Sequence, residues 1–545
     1  MLRSQGWIGW LGLLLISILA CCPASAQPDR PELRLLVFGS DPRPIQAAKP
    51  SGVQDAAVPA LTTPAARAIT AAFLGRPIDD TLTADIRDRL VEYYRSIGRP
   101  FVEIAIPAQD VGDGILRVNI IETTRGRLRV EGNHWFDDQQ YLGSIRTRQG
   151  DPIDTRSLAA DATWINRNEN RHVTLAVEPG DDPSTYNLTV HAKDSLPLNV
   201  TLAADNTGTR DTGLYRAGLA VDWTNALWRG DELSYGLLTS PDQLRLIENA
   251  LSYTAYLPWR DWITVSAVDA RTRGRAIDSS NDFSVDGKAT IVSFRYSLSL
   301  PSSPGLIHHI DLGYDYKTTN NNVLAGGNSV FPTTSELDQF VIGYTARQGD
   351  AQGTTSIAAT LVGSPGRLTS RNTQSALADQ QPGASPSYLY GHITLERLTE
   401  LPFGNAWNTR LTAQYSSDNL LPSEQLVFGG IQSIRGFVEQ GATRDEGILM
   451  QNELRLASLK AGLFKSFTPT DGLEPFVFLD LGAGRNHLNM PDMPRSWVEM
   501  ISAGPGLTWR FAPNAALRLS WGFPLVRNGQ TGPFLGPQFG TQISF

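Results

Sequence analysis

The sequence predicts two small α/β modules in tandem, followed by an all-β transmembrane barrel of about sixteen antiparallel strands. Two observations support this fold class. Residues 33–195 repeat one order of elements twice, a strand, two helices and two strands, with about 80 residues in each cycle. From residue 198 to residue 545 the helical periodicity disappears, and apolar residues alternate with small or polar ones.

Composition narrows the class of protein further. The chain has 47 Lys and Arg against 55 Asp and Glu, a net charge of −8, so no overall basic field attracts nucleic acid. Its 49 Gly and 34 Pro favour turns over long helices. After residue 26 no apolar run approaches the roughly 18 residues of a spanning helix, so a membrane location would require a barrel.

The first 26 residues have the pattern of a secretory signal peptide. Arg3 supplies the positive charge, Ile8–Ala20 the apolar stretch and residues 24–26 an Ala-x-Ala cleavage site, which predicts a mature chain that starts at Gln27. Both cysteines lie in this segment, so the mature chain would contain neither disulfides nor thiolate ligands. A membrane anchor is disfavoured because the apolar run is short.

The two modules are expected at residues 27–123 and 124–197. In the first, the predicted elements are the strand Leu33–Phe38, the helices Pro64–Phe73 and Ala84–Ile97, and the strands Val102–Ile106 and Ile115–Ile121. In the second, they are the strand Arg127–Val130, the helices Asp138–Ile145 and Thr155–Asn166, and the strands Val173–Val177 and Tyr186–Val190. The Ala- and Pro-rich segment Gln46–Leu61 is interpreted as an insertion of unknown role.

Residues 198–545 are assigned to the barrel. In the segment 215–223 the odd positions are aromatic or aliphatic and the even positions are small or charged, and the chain ends on the aromatic residue Phe545. Soluble β-sandwiches, propellers and solenoids also contain alternating strands. Long strands, aromatic residues near strand ends and small or charged residues on the opposite faces favour the membrane barrel.

No group of residues indicates catalysis or metal binding. The seven histidines are scattered, none of them in a His-Glu-x-x-His pattern. The sequence contains no Gly-x-Ser-x-Gly elbow and no phosphate-binding glycine loop. We therefore expect neither an enzyme nor a cofactor.

A glycine-dense loop within residues 417–446 carries the most distinctive local pattern. Arg435 lies there between Ile434 and Gly436, and Phe437 follows. Glycine permits a close backbone approach at the tip of such a loop, and the aromatic ring could pack against a wall.

A carboxylate on an apolar strand lies downstream of this loop. Phe478, Asp480 and Gly482 share one face of that strand, and they should point into the lumen because a charge is costly on the lipid side. If the loop folds inward, the guanidinium of Arg435 could donate two parallel hydrogen bonds to Asp480 and clamp the loop. The alternative is an external loop whose arginine is solvated.

In this order, these residues resemble the two-partner secretion transporters of the ShlB/FhaC/HecB type, over essentially all of residues 33–545. The most specific match is the run 434–437, which is similar to the tip of the family's long sixth extracellular loop, followed by the strand motif around Asp480. In that family the α/β modules are called POTRA and the barrel has sixteen strands. Only residues 27–31 precede the first predicted strand, which puts plugging by the family's N-terminal helix in doubt.

The resemblance implies a pore in the outer membrane of a Gram-negative bacterium, with porin activity, that exports a large unfolded exoprotein. POTRA modules in the periplasm would bind the exoprotein's N-terminal secretion domain by β-augmentation, and no nucleotide motif suggests active transport. The candidate substrate-binding residues are Val102, Ile104, Ile106, Thr155, Val173 and Val177. Phe545 would be the C-terminal signal for the barrel assembly machinery. Outer-membrane lipid is a further expected partner, nucleic acid is not, and the chain should be monomeric or weakly dimeric.

Three other functions stay open at this point. An outer-membrane assembly insertase has the same POTRA-plus-barrel plan and the same loop motif. A passive porin or surface receptor would not need the α/β modules at residues 33–195. A secreted binding protein with a β-solenoid would not reside in a membrane.

Overall fold

The computed structural model describes residues 30–40, 49–182, 184–209, 212–242, 244–278, 281–301, 305–325, 328–331, 334–378, 380–381, 383–460, 472–487, 497–512, 514–528, 532–534 and 536–545. The predicted signal peptide, residues 1–26, and the start of the predicted insertion at Gln46 lie outside them. The chain divides into two compact units. The first comprises Met1–Arg127, Thr147–Leu158 and Val177–Leu188, and the second comprises Leu128–Arg146, Ala159–Ala176 and Thr189–Phe545.

The first unit contains a four-stranded sheet with helices. Its elements are β1 (Leu35–Gly39), β2 (Gly52–Gln54), a 3-10 helix (Pro59–Thr62), α1 (Pro64–Ala71), α2 (Asp80–Ser96), β3 (Val102–Ala105) and β4 (Ile115–Glu122). The strand order is β2-β1-β4-β3. The strand β1 is parallel to both of its neighbours, and β3 is antiparallel to β4. Side chains of α2 such as Ile86 and Leu90 are buried in one core with Phe38 and Val118 of the sheet.

Most bounds in this unit agree with the prediction to within two residues, and two elements differ by more. The helix α2 begins at Asp80, before the predicted Ala84, because the side chain of Asp79 accepts a hydrogen bond from the Leu82 amide at 2.8 Å and caps the first turn. The segment interpreted as an insertion contributes β2, which adds to the edge of the sheet beside β1. This strand has only three residues, too few for alternation to be recognised.

The second predicted module contains a three-stranded sheet and two helices. Its elements are β5 (Thr124–Glu131), α3 (Asp138–Leu142), α4 (Thr155–Ile165), β6 (Arg171–Pro179) and β7 (Thr185–Asp194). The strand order is β5-β7-β6. No helix among the described residues combines the length and the hydrophobicity that a transmembrane helix requires.

The remaining strands belong to the second unit. They are β8 (Leu198–Asp205), β9 (Arg216–Ala226), β10 (Asp231–Thr239), β11 (Leu246–Tyr256), β12 (Trp262–Asp278), β13 (Asn281–Ser299), β14 (Leu306–Ala325), β15 (Asn328–Phe331), β16 (Thr334–Asp350), β17 (Gly353–Ser364), β18 (Tyr388–Glu400), β19 (Ala406–Ser416), β20 (Leu426–Phe428), β21 (Ala442–Arg444), β22 (Glu446–Arg455), β23 (Leu459–Lys460), β24 (Gly472–Arg485), β25 (Trp497–Ala512), β26 (Ala515–Ser520), β27 (Phe523–Asn528) and β28 (Gln538–Ser544). A short helix, α5 (Gln374–Ala378), lies between β17 and β18.

All of these strands except β20 and β21 form a closed barrel. The strands β15 and β23 are short extensions, and β26 and β27 are two halves of one strand, so the described residues provide sixteen antiparallel strands. The last strand, β28, pairs with β8 and closes the ring. The prediction of α/β modules followed by an antiparallel barrel of about sixteen strands is therefore confirmed.

The two faces of the barrel wall differ as a membrane protein requires. Outward-pointing side chains are exposed and apolar, among them Val265, Phe294, Phe340, Ile342 and Leu361. Inward-pointing side chains include buried polar and charged groups such as Gln339, Gln414, Glu453 and Asp480. The strand β20 pairs with β21 as a small hairpin in the long connection between β19 and β22.

Candidate functional site

The connection between β19 and β22, residues 417–445, lies inside the barrel. We call it the inward loop. At its tip, residues 429–441, Ile434 and Phe437 are fully buried and Arg435 is 4% exposed. Gly429 and Gly430 both have a positive φ, at 94° and 110°, which turns the chain out of β20 into the tip. The alternative of a solvated external arginine does not fit this placement.

Arg435 and Asp480 form a bidentate ion pair. The guanidinium donates from Nε to Oδ2 at 2.7 Å and from Nη2 to Oδ1 at 2.8 Å. The backbone amide of Arg435 donates to the same Oδ2 at 3.1 Å. Because Asp480 accepts from both the side chain and the main chain of one residue, it fixes the position of the tip as well as its charge.

A second carboxylate completes the site. Nη1 of Arg435 donates to Glu453 on β22 at 2.8 Å. Glu453 also accepts from Arg455 at 2.8 Å and from Arg518 on β26. Three guanidinium groups and two carboxylates therefore meet in the lumen, and their mutual pairing offsets the large cost of burying isolated charges.

Aromatic rings enclose the two arginines that cross the site. The guanidinium carbon of Arg435 lies 3.7 Å from the ring centre of Phe478, and that of Arg518 lies 4.2 Å from Phe476. Burial alone would lower the pKa of Arg435, but the carboxylates of Asp480 and Glu453 outweigh it and raise the pKa above its ordinary value. The guanidinium is thus charged at every relevant pH.

Gly436 is held against the wall by its backbone. Its amide donates to Oε1 of Gln538 at 3.1 Å, and its carbonyl accepts from the Phe534 amide at 2.9 Å. Its φ is +83°, and a Cβ here would lie 2.7 Å from the backbone carbonyl carbon of Gly522. Glycine is therefore required both by conformation and by space. Next to it, Phe437 makes an antiparallel bridge with Pro533.

Apolar packing supports the polar contacts. Ile434, Phe437 and Phe428 form one cluster with the inward-facing Val498 and Met500. Gly482 makes room for this cluster, since a Cβ at that position would lie 2.3 Å from Cδ1 of Ile434. The three strand-motif residues Phe478, Asp480 and Gly482 thus lie on one face and each contacts the tip.

Glu453, Arg518 and Gln538 were not among the sequence-predicted site residues. Each occupies an inward position of a barrel strand, so alternation could have placed it on the lumen wall. Alternation does not reveal which strands face the tip, because that depends on the register across β22, β24, β26 and β28.

The six candidate substrate-binding residues lie at or near two sheet edges. Val102 and Ile104 belong to β3, with Ile106 just beyond its end, and β3 is an edge strand of the first sheet. The side chain of Ile104 is buried in the core, and those of Val102 and Ile106 pack against it.

The other three candidates belong to the second predicted module, two in its sheet and one in its helix α4. Val173 and Val177 belong to β6, which is also an edge strand. The backbone of Val173 exchanges hydrogen bonds with the side chain of Asn166, which accepts from its amide at 2.6 Å and donates to its carbonyl at 3.2 Å. Thr155 begins α4 and donates from its hydroxyl to the carbonyl of Gly98 at 3.0 Å.

Phe545 lies at the closure of the barrel. Its amide donates to the carbonyl of Val200 at 2.9 Å, and its carbonyl accepts from the Val200 amide at 3.2 Å. Its side chain is exposed. Among the residues that the structure describes, no group of three or more His, Cys, Asp or Glu side chains could hold a metal ion.

Comparison with known proteins identifies the family. The family model of the haemolysin secretion/activation protein ShlB/FhaC/HecB matches residues 184–508, more than half of the chain. The chain is similar to the heme/hemopexin transporter protein HuxB of Haemophilus influenzae (strain 86-028NP), with 21% identity over 84% of this chain and 80% of HuxB. It is also similar to the outer membrane transporter CdiB of Dickeya dadantii, with 25% identity over 71% of this chain and 68% of CdiB.

A solved structure shows the same fold. CdiB from Escherichia coli superposes with a TM-score of 0.76 at 17% identity, over 96% of this chain and 92% of that one. The family match and the outer membrane transporters that the chain resembles place the closed barrel in the outer membrane. On the family match, this chain belongs to the ShlB/FhaC/HecB family of two-partner secretion transporters.

Proposed function

We propose that this chain exports a large unfolded exoprotein from the periplasm to the cell surface, and that the inward loop gates the passage. The observation that supports this best is the buried ion-pair group of Arg435, Asp480 and Glu453, which pins a loop across the lumen. Several charge-assisted hydrogen bonds hold this loop in one position, as a gate with a defined closed state requires.

Capture of the exoprotein would take place at a sheet edge of the α/β modules. The strands β3 and β6 both lie at edges, where an extended chain can add one more strand through backbone hydrogen bonds. Such pairing tolerates many sequences, because the backbone supplies the affinity. On β6 the side chain of Asn166 already occupies the backbone of Val173, so an incoming strand would pair nearer to Val177.

Passage through the barrel requires the tip to leave its place. Arg435 cannot be neutralised in the lumen, so release has to exchange its partners for water or for groups of the passing chain. Once outside, the folding of the exported chain prevents its return and supplies the direction of transport.

The cargo of this chain is proposed only as an unfolded polypeptide. The similar proteins are described as a heme/hemopexin transporter in one case and as an outer membrane transporter in the other. These descriptions do not indicate one cargo. The exoprotein encoded nearest to this chain in its genome is the natural candidate for a first assay.

The experiment compares export by wild type, Arg435→Ala and Arg410→Ala. Cells express each variant with the candidate exoprotein, and the protein released into the medium is measured. Arg410 points into the lumen from β19 and is exposed, which makes it a matched control for the loss of a lumenal arginine. We expect Arg435→Ala to abolish or strongly reduce export while heat-modifiable gel mobility shows a folded barrel.

Two results would contradict the proposal. Normal export by Arg435→Ala would remove the gating role of the ion pair. A folded wild-type barrel that exports nothing, and that instead restores the insertion of other barrels in depleted membranes, would favour the assembly insertase.

A further inference from the structure

The inward loop touches a second part of the barrel wall, far along the strand order from Asp480. Its first part, residues 417–425, lies against β14, β16 and β18. We call it the proximal arm. Glu424 in this arm is 4% exposed. Both of its carboxylate oxygens accept from Nζ of Lys317 on β14, at 2.9 Å and 3.0 Å.

Glu424 has further donors on the same wall. Nε2 of Gln339 on β16 donates to it at 2.7 Å, and the hydroxyl of Tyr390 on β18 donates at 2.9 Å. Three strands of this part of the wall thus bind one loop carboxylate. Burial alone would raise the pKa of Glu424, but the ammonium of Lys317 and the hydrogen bonds outweigh it, so the pKa is lowered and the group is ionised.

Apolar contacts hold the proximal arm in the same place. Leu420 and Leu421 are buried in one cluster with Leu337 of β16 and with residues of the segment between β17 and β18. Within that segment, Leu377 of α5 and Ala384 are fully buried. Ala384 also forms a parallel bridge with Asn419. A second loop therefore packs on the arm inside the barrel.

The far end of the inward loop is tied to the proximal arm. Asp445, which is fully buried, accepts from the Leu420 amide at 2.8 Å and from Nε2 of Gln425 at 2.9 Å. Nε2 of Gln414 donates to the carbonyls of both Glu424 and Asp445, at 2.9 Å and 3.1 Å. The two ends of the loop therefore form one rigid base, and the hairpin with its tip projects from that base.

The base and the tip have separate partners. The barrel residues that bind the Glu424 carboxylate lie on β14, β16 and β18, whereas those that bind the Arg435 guanidinium lie on β22 and β24. Between the two groups come the hairpin β20–β21 and the positive-φ residues Gly429 and Gly430. A chain with two separate anchors and glycines between them can release one anchor without the other.

We propose that Glu424 is a positioning residue that holds the proximal arm in the barrel independently of Arg435. Release of Arg435 then frees only residues 426–444. The passage opens between this part and the wall at β24–β28, while the arm and the α5 segment stay in the lumen and narrow it. This inference rests on the proposed gating function of the inward loop, because it assigns the moving part of that gate.

Two buried positions report the two anchors separately. Ser433 at the tip is 7% exposed, and its hydroxyl has no hydrogen-bond partner among the described residues, so Ser433→Cys changes little. Ala384 is fully buried under the proximal arm, so Ala384→Cys reports whether the arm has moved. The sequence contains only two cysteines, Cys21 and Cys22, and both lie in the predicted signal peptide, so the introduced cysteine is expected to be the only thiol of the mature chain. The probe is a maleimide reagent applied to the purified full-length protein in detergent.

We expect each anchor variant to change the labelling of only one of the two cysteines. Arg435→Ala should raise the labelling rate of Ser433→Cys by about tenfold or more and leave that of Ala384→Cys unchanged. Glu424→Gln should raise the labelling rate of Ala384→Cys by a similar factor and leave Ser433→Cys protected. Lys317→Met removes the ionic partner from the wall and should reproduce Glu424→Gln, which covers the case that one variant folds poorly.

Other outcomes overturn the inference. If Arg435→Ala exposes both cysteines, the loop moves as one body. If both Glu424→Gln and Lys317→Met leave Ala384→Cys protected, Glu424 is not an anchor. These labelling rates need no exoprotein, so a failure of export in the cell assay would count against the proposed function and not against the second anchor.

Discussion

Replacement of Asp480 by Asn tests how strongly the ion pair holds the tip. The change keeps the shape of the side chain and removes one charge at a position that is fully buried. Arg435 would lose its bidentate partner, and one amide hydrogen would face the guanidinium. Breaking a buried pair costs about 3–5 kcal/mol, and since Glu453 still pairs with Arg435, we expect about 2–3 kcal/mol here.

That loss converts into a measurable change in the docking of the loop. At 1.4 kcal/mol per factor of ten, the ratio of released to docked tip should rise about 30- to 140-fold. Planar-bilayer recordings of the purified protein measure this ratio as the balance of long open and closed dwell times. Glu396→Gln is the matched control, because Glu396 lies on β18 with Asn408 as its partner and does not contact the tip. If Asp480→Asn shifts the dwell times no more than Glu396→Gln does, the ion pair does not keep the loop docked.

Three further predictions concern the tip and the sheet edge. Gly436→Ala should weaken the docking of the tip by more than about 1 kcal/mol and lower export, because the φ of Gly436 is +83°. Gly532→Ala should change neither, because a Cβ at Gly532 would meet nothing within 4 Å. Burial raises the pKa of Glu439 at the tip to about 7. Between pH 5 and 7 the Glu439 carboxyl is therefore protonated when the tip is docked, and it loses this proton when the tip is released. Docking weakens as the pH rises through this range and is constant above it. Bilayer dwell times should show this trend, and Glu439→Gln should abolish it. Asn166→Ala should cost about 1 kcal/mol and speed hydrogen exchange at the Val173 amide, and unchanged exchange would contradict the pairing.

Much of the fold follows from the sequence because the periods of helix and strand are local properties. Two-residue alternation places Asp480 on the same face as Phe478 and Gly482, and this assignment requires no information about distant parts of the chain. The predicted start of α2 at Ala84 was wrong by four residues, although Asp79 precedes the first turn as a typical N-cap. The short strand β2 was not predicted, because its position depends on pairing with β1 rather than on its own pattern.

The site itself could be predicted only in part. Asp480 is a carboxylate within the apolar run of residues 476–484, and one arginine in a glycine-dense loop gives it an obvious counter-charge. Glu453 and Glu424 lie among many other polar residues of the chain, so nothing local distinguishes them. Their importance arises from the register of strands distant in sequence, which periodicity alone does not determine.

The interruption between β26 and β27, next to the tip, bears on the order in which the barrel is completed. β26 ends at Ser520 and β27 begins at Phe523, and both halves pair with β25 in the same register on either side of this interruption. Gly522 in this interruption lies against Gly436 of the tip. Residues 436–438 of the tip form backbone hydrogen bonds with residues 532–534. The ladder near the carboxyl end is therefore completed by the tip. During biogenesis, the last strands would gain this pairing only after the loop has entered the barrel, so a polypeptide that fails to thread it would be held at an unfinished stage open to proteolysis.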